Sequence, residues 1–195
     1  MKMNFPKIIT SRLTLREIKS KDIFAYLELF TDKETTDLFG GLPVSSESEV
    51  IDLIETIRKD FENRNLIFWV ITKSDLKEFI GFIRLMSYNS YLFDISYSSM
   101  GEAKNSPEFL SYIDKEGWEI DYALLKDYRR QGIMTETLLA ILKFCSENEI
   151  TPIYAKVNSL SNDATVKLLK NCEFKDYLPQ LNRKGGYGMI YKWQT

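Results

Sequence analysis

The sequence predicts an α/β protein, one mixed sheet flanked by helices. Three observations carry that expectation. Stretches of alternating apolar residues give way repeatedly to stretches with an apolar stripe of helical period, in the order β-α-α-β-β-β-α-β-α-β-β. Segments 66–72 and 79–85 are separated only by a polar turn, the spacing of a hairpin. The 195 residues contain no repeat, linker or low-complexity run, so a single domain over 1–195 is expected.

Taken in order, Leu13 and Leu15 alternate with Arg12, Thr14 and Arg16, the pattern of a half-buried strand. Ser20 can cap the following helix, whose apolar stripe is Ile23, Phe24, Leu27 and Phe30. Gly40-Gly41-Leu42-Pro43 marks a turn, after which Ser46 and Glu49 have capping-box spacing. The next helix carries Val50, Leu53, Ile54, Ile57 and Phe61 on one stripe. The hairpin strands come next, joined by Lys73-Ser74-Asp75. Residues 87–117 have no clear period and read as an insertion rich in Tyr, Ser and acidic residues; a stretch this long within a compact domain is usually functional or mobile. Strand alternation returns at Ile120, Tyr122 and Leu124, against Glu119, Asp121 and Ala123. The loop 126–131 leads into the strongest helix, with Met134, Leu138, Ile141, Leu142 and Cys145 on one stripe. Pro152 opens a strand over 153–157. A short helix over 163–172 is expected to turn Ala164, Leu168 and Leu169 inward. Two strands between Phe174 and Trp193 then flank the loop 182–186.

Composition excludes several classes of function. The 26 basic and 28 acidic residues nearly balance, so no global field draws the chain to nucleic acid or to an anionic membrane. Histidine is absent, which removes Ser-His-Asp and Cys-His devices together with the commonest metal ligand. Cys145 and Cys172 are too few and too far apart for a disulfide scaffold or a zinc site, and read as packed, reduced core residues. No metal is expected. No apolar run reaches the length of a membrane span, and residues 1–6 lack signal-peptide character, so the expected compartment is cytoplasmic.

The informative stretch is a strand, then Tyr128-Arg129-Arg130-Gln131-Gly132-Ile133-Met134-Thr135-Glu136, then a strongly apolar helix. A first helical turn leaves N–H groups without intrahelical partners, and the helix dipole adds partial positive charge there. Gly132 permits close approach of backbone to a phosphate, and Arg129 and Arg130 supply full charges. A pyrophosphate could be held there by main-chain amides. The same residues could also form an ordinary basic loop at a helix start.

Trp118-Glu119-Ile120-Asp121-Tyr122 followed by that loop resembles the acetyl-CoA loop of the GNAT acetyltransferase superfamily. More narrowly it resembles the branch containing the ribosomal-protein N-terminal acetyltransferases. The family pattern is Gln or Arg, two residues, Gly, one residue, then Gly or Ala; Arg129 and Gly132 match, and Met134 replaces the small residue. Asn162-Asp163-Ala164-Thr165 resembles a second family element, Asn-x-Ala-Ser/Thr. Thr10-Ser11-Arg12-Leu13-Thr14-Leu15-Arg16 and Phe79-Ile80-Gly81-Phe82-Ile83 also fit, so the resemblance spans nearly the whole chain outside 87–117. It implies the GNAT fold, a single mixed, mostly antiparallel sheet with a splayed central parallel pair. It further implies acetyl-CoA as cosubstrate, contacted by Leu124, Arg129, Arg130, Gln131, Gly132, Ile133, Met134, Thr135, Asn158 and Asn162. Three positions depart from the pattern. Leu169 stands where a Tyr often protonates the leaving thiolate, Glu173 where a Gly precedes Phe174, and Asp121 where a Gly follows Glu-Ile.

The implied reaction is direct acetyl transfer to a primary amine in a ternary complex. An amine is cationic at neutral pH, so a carboxylate is a natural general base. Glu119 and Asp121 stand at i and i+2 of a strand, on one face, and two such neighbours should raise one apparent pKa. Either could be the base, or both could simply face water. Asn162 would hold the pantetheine and Thr165 offer a hydroxyl to the sulfur, unless the two only cap and pack a helix. Positioning two bound substrates demands no nucleophilic side chain.

Residues 94–121 hold seven acidic side chains (Asp94, Glu102, Glu108, Asp114, Glu116, Glu119, Asp121) against two lysines. That balance suits a cationic acceptor, a protein N-terminus or a small amine such as a polyamine or an aminoglycoside, or else a solvated acidic loop. A monomer or a homodimer is expected. A nucleotide-binding reading finds no G-x-G-x-x-G or P-loop motif. A catalytically silent CoA-binding module remains the alternative, on account of Leu169 and Asp121.

Overall fold

In the first of the chain's two compact units, strands β1 (Ile8–Ile9), β2 (Leu13–Glu17), β3 (Leu66–Lys73) and β4 (Phe79–Ser87) form an antiparallel run. The computed structural model describes residues 4–39, 44, 46–87, 116–157, 162–181 and 187–194. The first unit comprises Met1–Met86 and Asp121–Phe144, the second Ser87–Ile120 and Cys145–Thr195. Most of the 87–117 insertion therefore lies outside the described residues. Strand β5 (Trp118–Leu124) is common to both units and follows β4 in strand order. Gly81 makes that neighbour possible, because a Cβ there would lie 2.3 Å from the Ala123 carbonyl oxygen.

Three helices, α1 (Ile23–Thr31), α2 (Lys33–Phe39) and α3 (Glu47–Glu62), belong to the same unit. Helix α3 matches its pattern: the Ser46 hydroxyl accepts the Glu49 N–H at 3.3 Å, and Val50, Ile54 and Ile57 are buried. The entry to α1 differs from expectation. Residues Ser20–Asp22 form a 3-10 turn, and Asp22, not Ser20, holds the corner by accepting the Lys19 N–H at 2.8 Å. The inward stripe is Ile23, Tyr26, Leu29 and Phe30, while Leu27 is half-buried and Phe24 is 69% exposed. Tyr26 decides this rotation by packing within 6.2 Å of the Phe68, Phe79 and Phe82 rings. Two residues apart on a helix are roughly 200° apart, which turns Phe24 outward. Helix α2 was not expected; Asp32 starts it by accepting the Thr35 N–H at 3.1 Å.

Helix α4 (Ile133–Glu147) buries Ile133, Thr137, Leu138, Ile141 and Leu142, with Met134 only half-buried. In the second unit, β5 registers parallel with β6 (Ile153–Val157), Trp118 opposite Ile153 and Glu119 opposite Tyr154. Strands β8 (Tyr187–Trp193) and β7 (Lys175–Leu181) continue it antiparallel, in the order β6-β8-β7. The sheet is thus mixed, mostly antiparallel, with one parallel pair among the described strands. Helix α5 (Asp163–Asn171) buries Leu169 and half-buries Leu168, whereas Ala164, in the first turn, is exposed rather than inward. Both cysteines are free and buried, and burial pushes the Cys145 thiol up to about 12. Among the described residues no helix is long and apolar enough to cross a membrane.

Candidate active site

The loop between β5 and α4 carries two residues with left-handed backbone just before the helix starts. Lys126–Tyr128 form a 3-10 turn, after which Arg130 adopts φ 59° and Gly132 φ 72°. Left-handed backbone at a long side chain such as Arg130 is costly and persists where surrounding structure enforces it. Gly132 accepts the Glu136 N–H at 3.0 Å and so occupies the N-cap position of α4. Having no side chain, it cannot cap the helix, and the first-turn amides of Ile133, Met134 and Thr135 have no intrahelical partner. A Cβ at Gly132 would meet only an Arg12 Nη2 at 3.6 Å, so the glycine is required by its left-handed backbone and not by crowding. Gln131 and Gly132 are exposed, and the Gln131 amide donates to the Asp127 carbonyl at 2.7 Å.

Arg129 has a different task from the one its charge suggests. Its Nε donates to the carbonyl of buried Leu124 at 3.1 Å, Nη1 to Glu34 at 2.9 Å, and Nη2 to Asp32 at 2.7 Å and Thr35 at 2.5 Å. The guanidinium therefore ties the loop to the start of α2. Its hydrogen bond, aided by the Thr35 hydroxyl, holds the Asp32 carboxyl down at about 2. A cavity of about 740 Å³ opens beside this tie, with exposed Phe24 and half-buried Tyr128 on its wall.

A second tie reaches the loop from the N-terminal strand pair. Glu136, in the first turn of α4, accepts from the Thr10 hydroxyl at 2.5 Å, the Ser11 hydroxyl at 3.1 Å, and Arg12 through its N–H at 3.1 Å and Nε at 2.6 Å. Arg12 Nη1 also donates to the Gln131 carbonyl at 3.2 Å. Burial pushes the Glu136 carboxyl up, but the bonds from Thr10, Arg12 and Ser11 outweigh it and hold the group at about 2.

The two carboxylates of β5 each have their own cation. In the first unit, Asp121 takes a two-pronged bond from Arg84, Nε at 2.6 Å and Nη2 at 2.7 Å. In the second, buried Glu119 pairs through Oε2 with Lys156 at 2.5 Å. Neither is a bare charge beside the other. On α5, the Asn162 Oδ1 accepts the Thr165 N–H at 3.2 Å, so the capping role is realised. Leu169, at the family's Tyr position, is fully buried. Asn158 and most of the acidic stretch, Asp94 to Asp114, lie outside the described residues.

Sequence reading missed the partners Asp32, Glu34, Arg84, Lys156 and Glu136. The leading residues 10–16 stood out as a family element, and that was a signal for the Glu136 tie. The other partners had none.

Residues 12–175 match the family model described as the acetyltransferase (GNAT) domain. YoaA, an uncharacterised N-acetyltransferase of Bacillus subtilis (strain 168), is 34% identical over 140 residues, which are 72% of this chain and 66% of that protein. The chain thus spans just under two thirds of that relative's length. The solved structure of RimL, a ribosomal L7/L12 α-N-protein acetyltransferase in complex with coenzyme A, matches with TM-score 0.70 at 14% identity, over 97% of this chain and 98% of that one. The microcin C7 self-immunity acetyltransferase MccE, in complex with acetyl-CoA and AMP, matches with TM-score 0.70 at 14% identity, over 95% and 94%. At such identities the structural likeness speaks for the fold.

Proposed function

The chain belongs to the GNAT acetyltransferase domain family, and from that premise we propose that it transfers the acetyl group of acetyl-CoA directly to a primary amine. The observation that carries this reading is the loop from Arg129 to Thr135: left-handed backbone at Arg130 and Gly132, and a helix start without a capping side chain. These residues fit a pyrophosphate, with Ile133, Met134 and Thr135 supplying amides and Gly132 supplying room. The amine nitrogen attacks the thioester carbonyl carbon, the C–S bond breaks, and the amine's proton leaves to a base. The thiolate takes up a proton in turn. Leu169 cannot give it; the proton released by the amine reaches the sulfur through the base or water, and the hydroxyl of Thr165 is the hydrogen-bond donor to the sulfur that we assign.

Among the carboxylates, Asp121 has both oxygens engaged by Arg84, which suits a fixed charge. Glu119 is the base we assign, directly or through water. A protein N-terminal amine is the first acceptor to try, because RimL, a protein of similar fold, is an α-N-protein acetyltransferase. Polyamines and aminoglycosides are the comparison.

Thermal shift and steady-state kinetics test the reading. CoA should raise the melting temperature while NAD and ATP do little; no shift with CoA sinks the cofactor assignment. Glu119→Gln should lower kcat/KM by roughly 10² to 10⁴, the range of general-base catalysis, with CoA affinity unchanged. Asp121→Asn is the comparison, and if neither variant alters the rate at any pH, the carboxylate base is wrong.

A further inference from the structure

We infer that Arg12 is an additional phosphate-contacting residue of the cofactor loop, held in place by Glu136. This rests on the acetyl-CoA reading above. The Arg12 side chain is 53% exposed, yet two of its three nitrogens are anchored, Nε on Glu136 and Nη1 on the Gln131 carbonyl. The third, Nη2, is the nearest atom to the space a Cβ would take at Gly132, at 3.6 Å. A guanidinium thus lies along the loop with one N–H edge over the spot that glycine leaves open. Its planar fork suits phosphate oxygens.

Glu136 explains why the arrangement needs an arginine. A carboxylate in the first turn of a helix sits well with the helix dipole but opposes an anionic ligand bound there. Here the carboxylate is neutralised by Arg12 and filled by three further donors, Thr10, Ser11 and the Arg12 N–H. An isolated surface ion pair contributes little and moves freely. This one is fixed by several bonds converging on one carboxylate, so Arg12 is presented rather than merely paired. Glu136 acts as a positioning residue through it. The phosphate contacted is the pyrophosphate or the 3′-phosphate of CoA.

Calorimetric titration of the full chain with CoA and with 3′-dephospho-CoA tests this. Arg12→Gln should weaken CoA binding on the order of tenfold, the scale of one charge-assisted hydrogen bond, and flatten its dependence on salt. Arg12→Lys, which keeps the charge, should recover part of that loss. Glu136→Gln leaves the Arg12 charge in place and should cost less than Arg12→Gln. A loss with both ligands assigns the pyrophosphate; a loss with CoA alone assigns the 3′-phosphate. Wild-type affinity in Arg12→Gln overturns the inference and leaves the cofactor reading intact. So does a loss in Glu136→Gln as large as in Arg12→Gln, or one that Arg12→Lys does not relieve at unchanged salt dependence. If the wild type binds no CoA, the cofactor reading itself fails, and the role of Arg12 with it.

Discussion

Helices α4 and α5 begin in opposite ways. Helix α5 closes itself: Asn162 takes the Thr165 N–H, and at the far end Glu173, at φ 67°, donates to the Lys170 carbonyl at 3.1 Å while Phe174 donates to the Leu169 carbonyl at 3.0 Å. That is a Schellman ending, with buried Phe174 and Leu169 as its apolar partners. Helix α4 starts on a glycine and leaves its first amides to whatever arrives from outside. A capping side chain occupies an N–H that a glycine start leaves without a side-chain partner, so the start of α5 gains stability that the start of α4 forgoes. Any cofactor role of Asn162 or Thr165 must therefore use their other atoms.

The largest expected effect breaks the open end. Gly132→Asp puts a carboxylate where the phosphate would go, and CoA should no longer raise the melting temperature. Gly132→Ala isolates the backbone cost, about 1–2 kcal/mol for a residue forced left-handed, and should retain measurable CoA binding. If Gly132→Asp binds CoA like the wild type, the phosphates lie elsewhere.

Acid should weaken the open end next. The Glu136 carboxyl lies at about 2 in the folded chain against an ordinary 4.5. Its pKa is depressed, so its contribution to stability is complete above pH 4.5 and is lost as pH falls from there toward 2. Melting temperatures between pH 6 and 3 should fall less steeply in Glu136→Gln than in the wild type. Identical slopes would mean that the tie contributes nothing to stability.

The cap of the closed helix should answer in stability alone. Asn162→Ala removes a cap, about 1 kcal/mol, and should leave CoA affinity unchanged; a tenfold loss of affinity would instead assign Asn162 to the cofactor. The smallest effect has the opposite sign. Glu173→Gly relieves a left-handed non-glycine and should stabilise the fold by about 0.5–1 kcal/mol, read as a small rise in denaturation midpoint.

The difference between the helices also marks what the residues alone could tell. Local chemistry was readable: Ser46 and Glu49 announced α3, the apolar stripe announced α4, and Gly132 beside two arginines announced the loop. What connects those pieces was not. Arg84 and Asp121 are 37 residues apart, and Arg129 meets Asp32 across 97. An arginine carries no mark of the carboxylate it will find, so Arg129 read as a phosphate ligand rather than as a tie to α2. The stripe Ile23, Phe24, Leu27 and Phe30 read as the inward face of α1, and only the phenylalanines of β3 and β4 turned Tyr26 inward in place of Phe24. The glycine at Gly81 belonged to a family pattern, but its reason, the Ala123 carbonyl, lies on another strand.

The knot on Glu136 also sets an order of events in synthesis. Thr10, Ser11 and Arg12 leave the ribosome early, but the carboxylate they bind lies 124 to 126 residues further along the chain. At elongation rates of about 5–20 residues per second, that separation is roughly 6–25 s of waiting. Closing so long a loop costs more entropy than local pairing, so these contacts belong to the late steps of folding. The β1–β2 corner spends that interval without its carboxylate partner, and a nascent chain that stops short of Glu136 cannot form the tie at all.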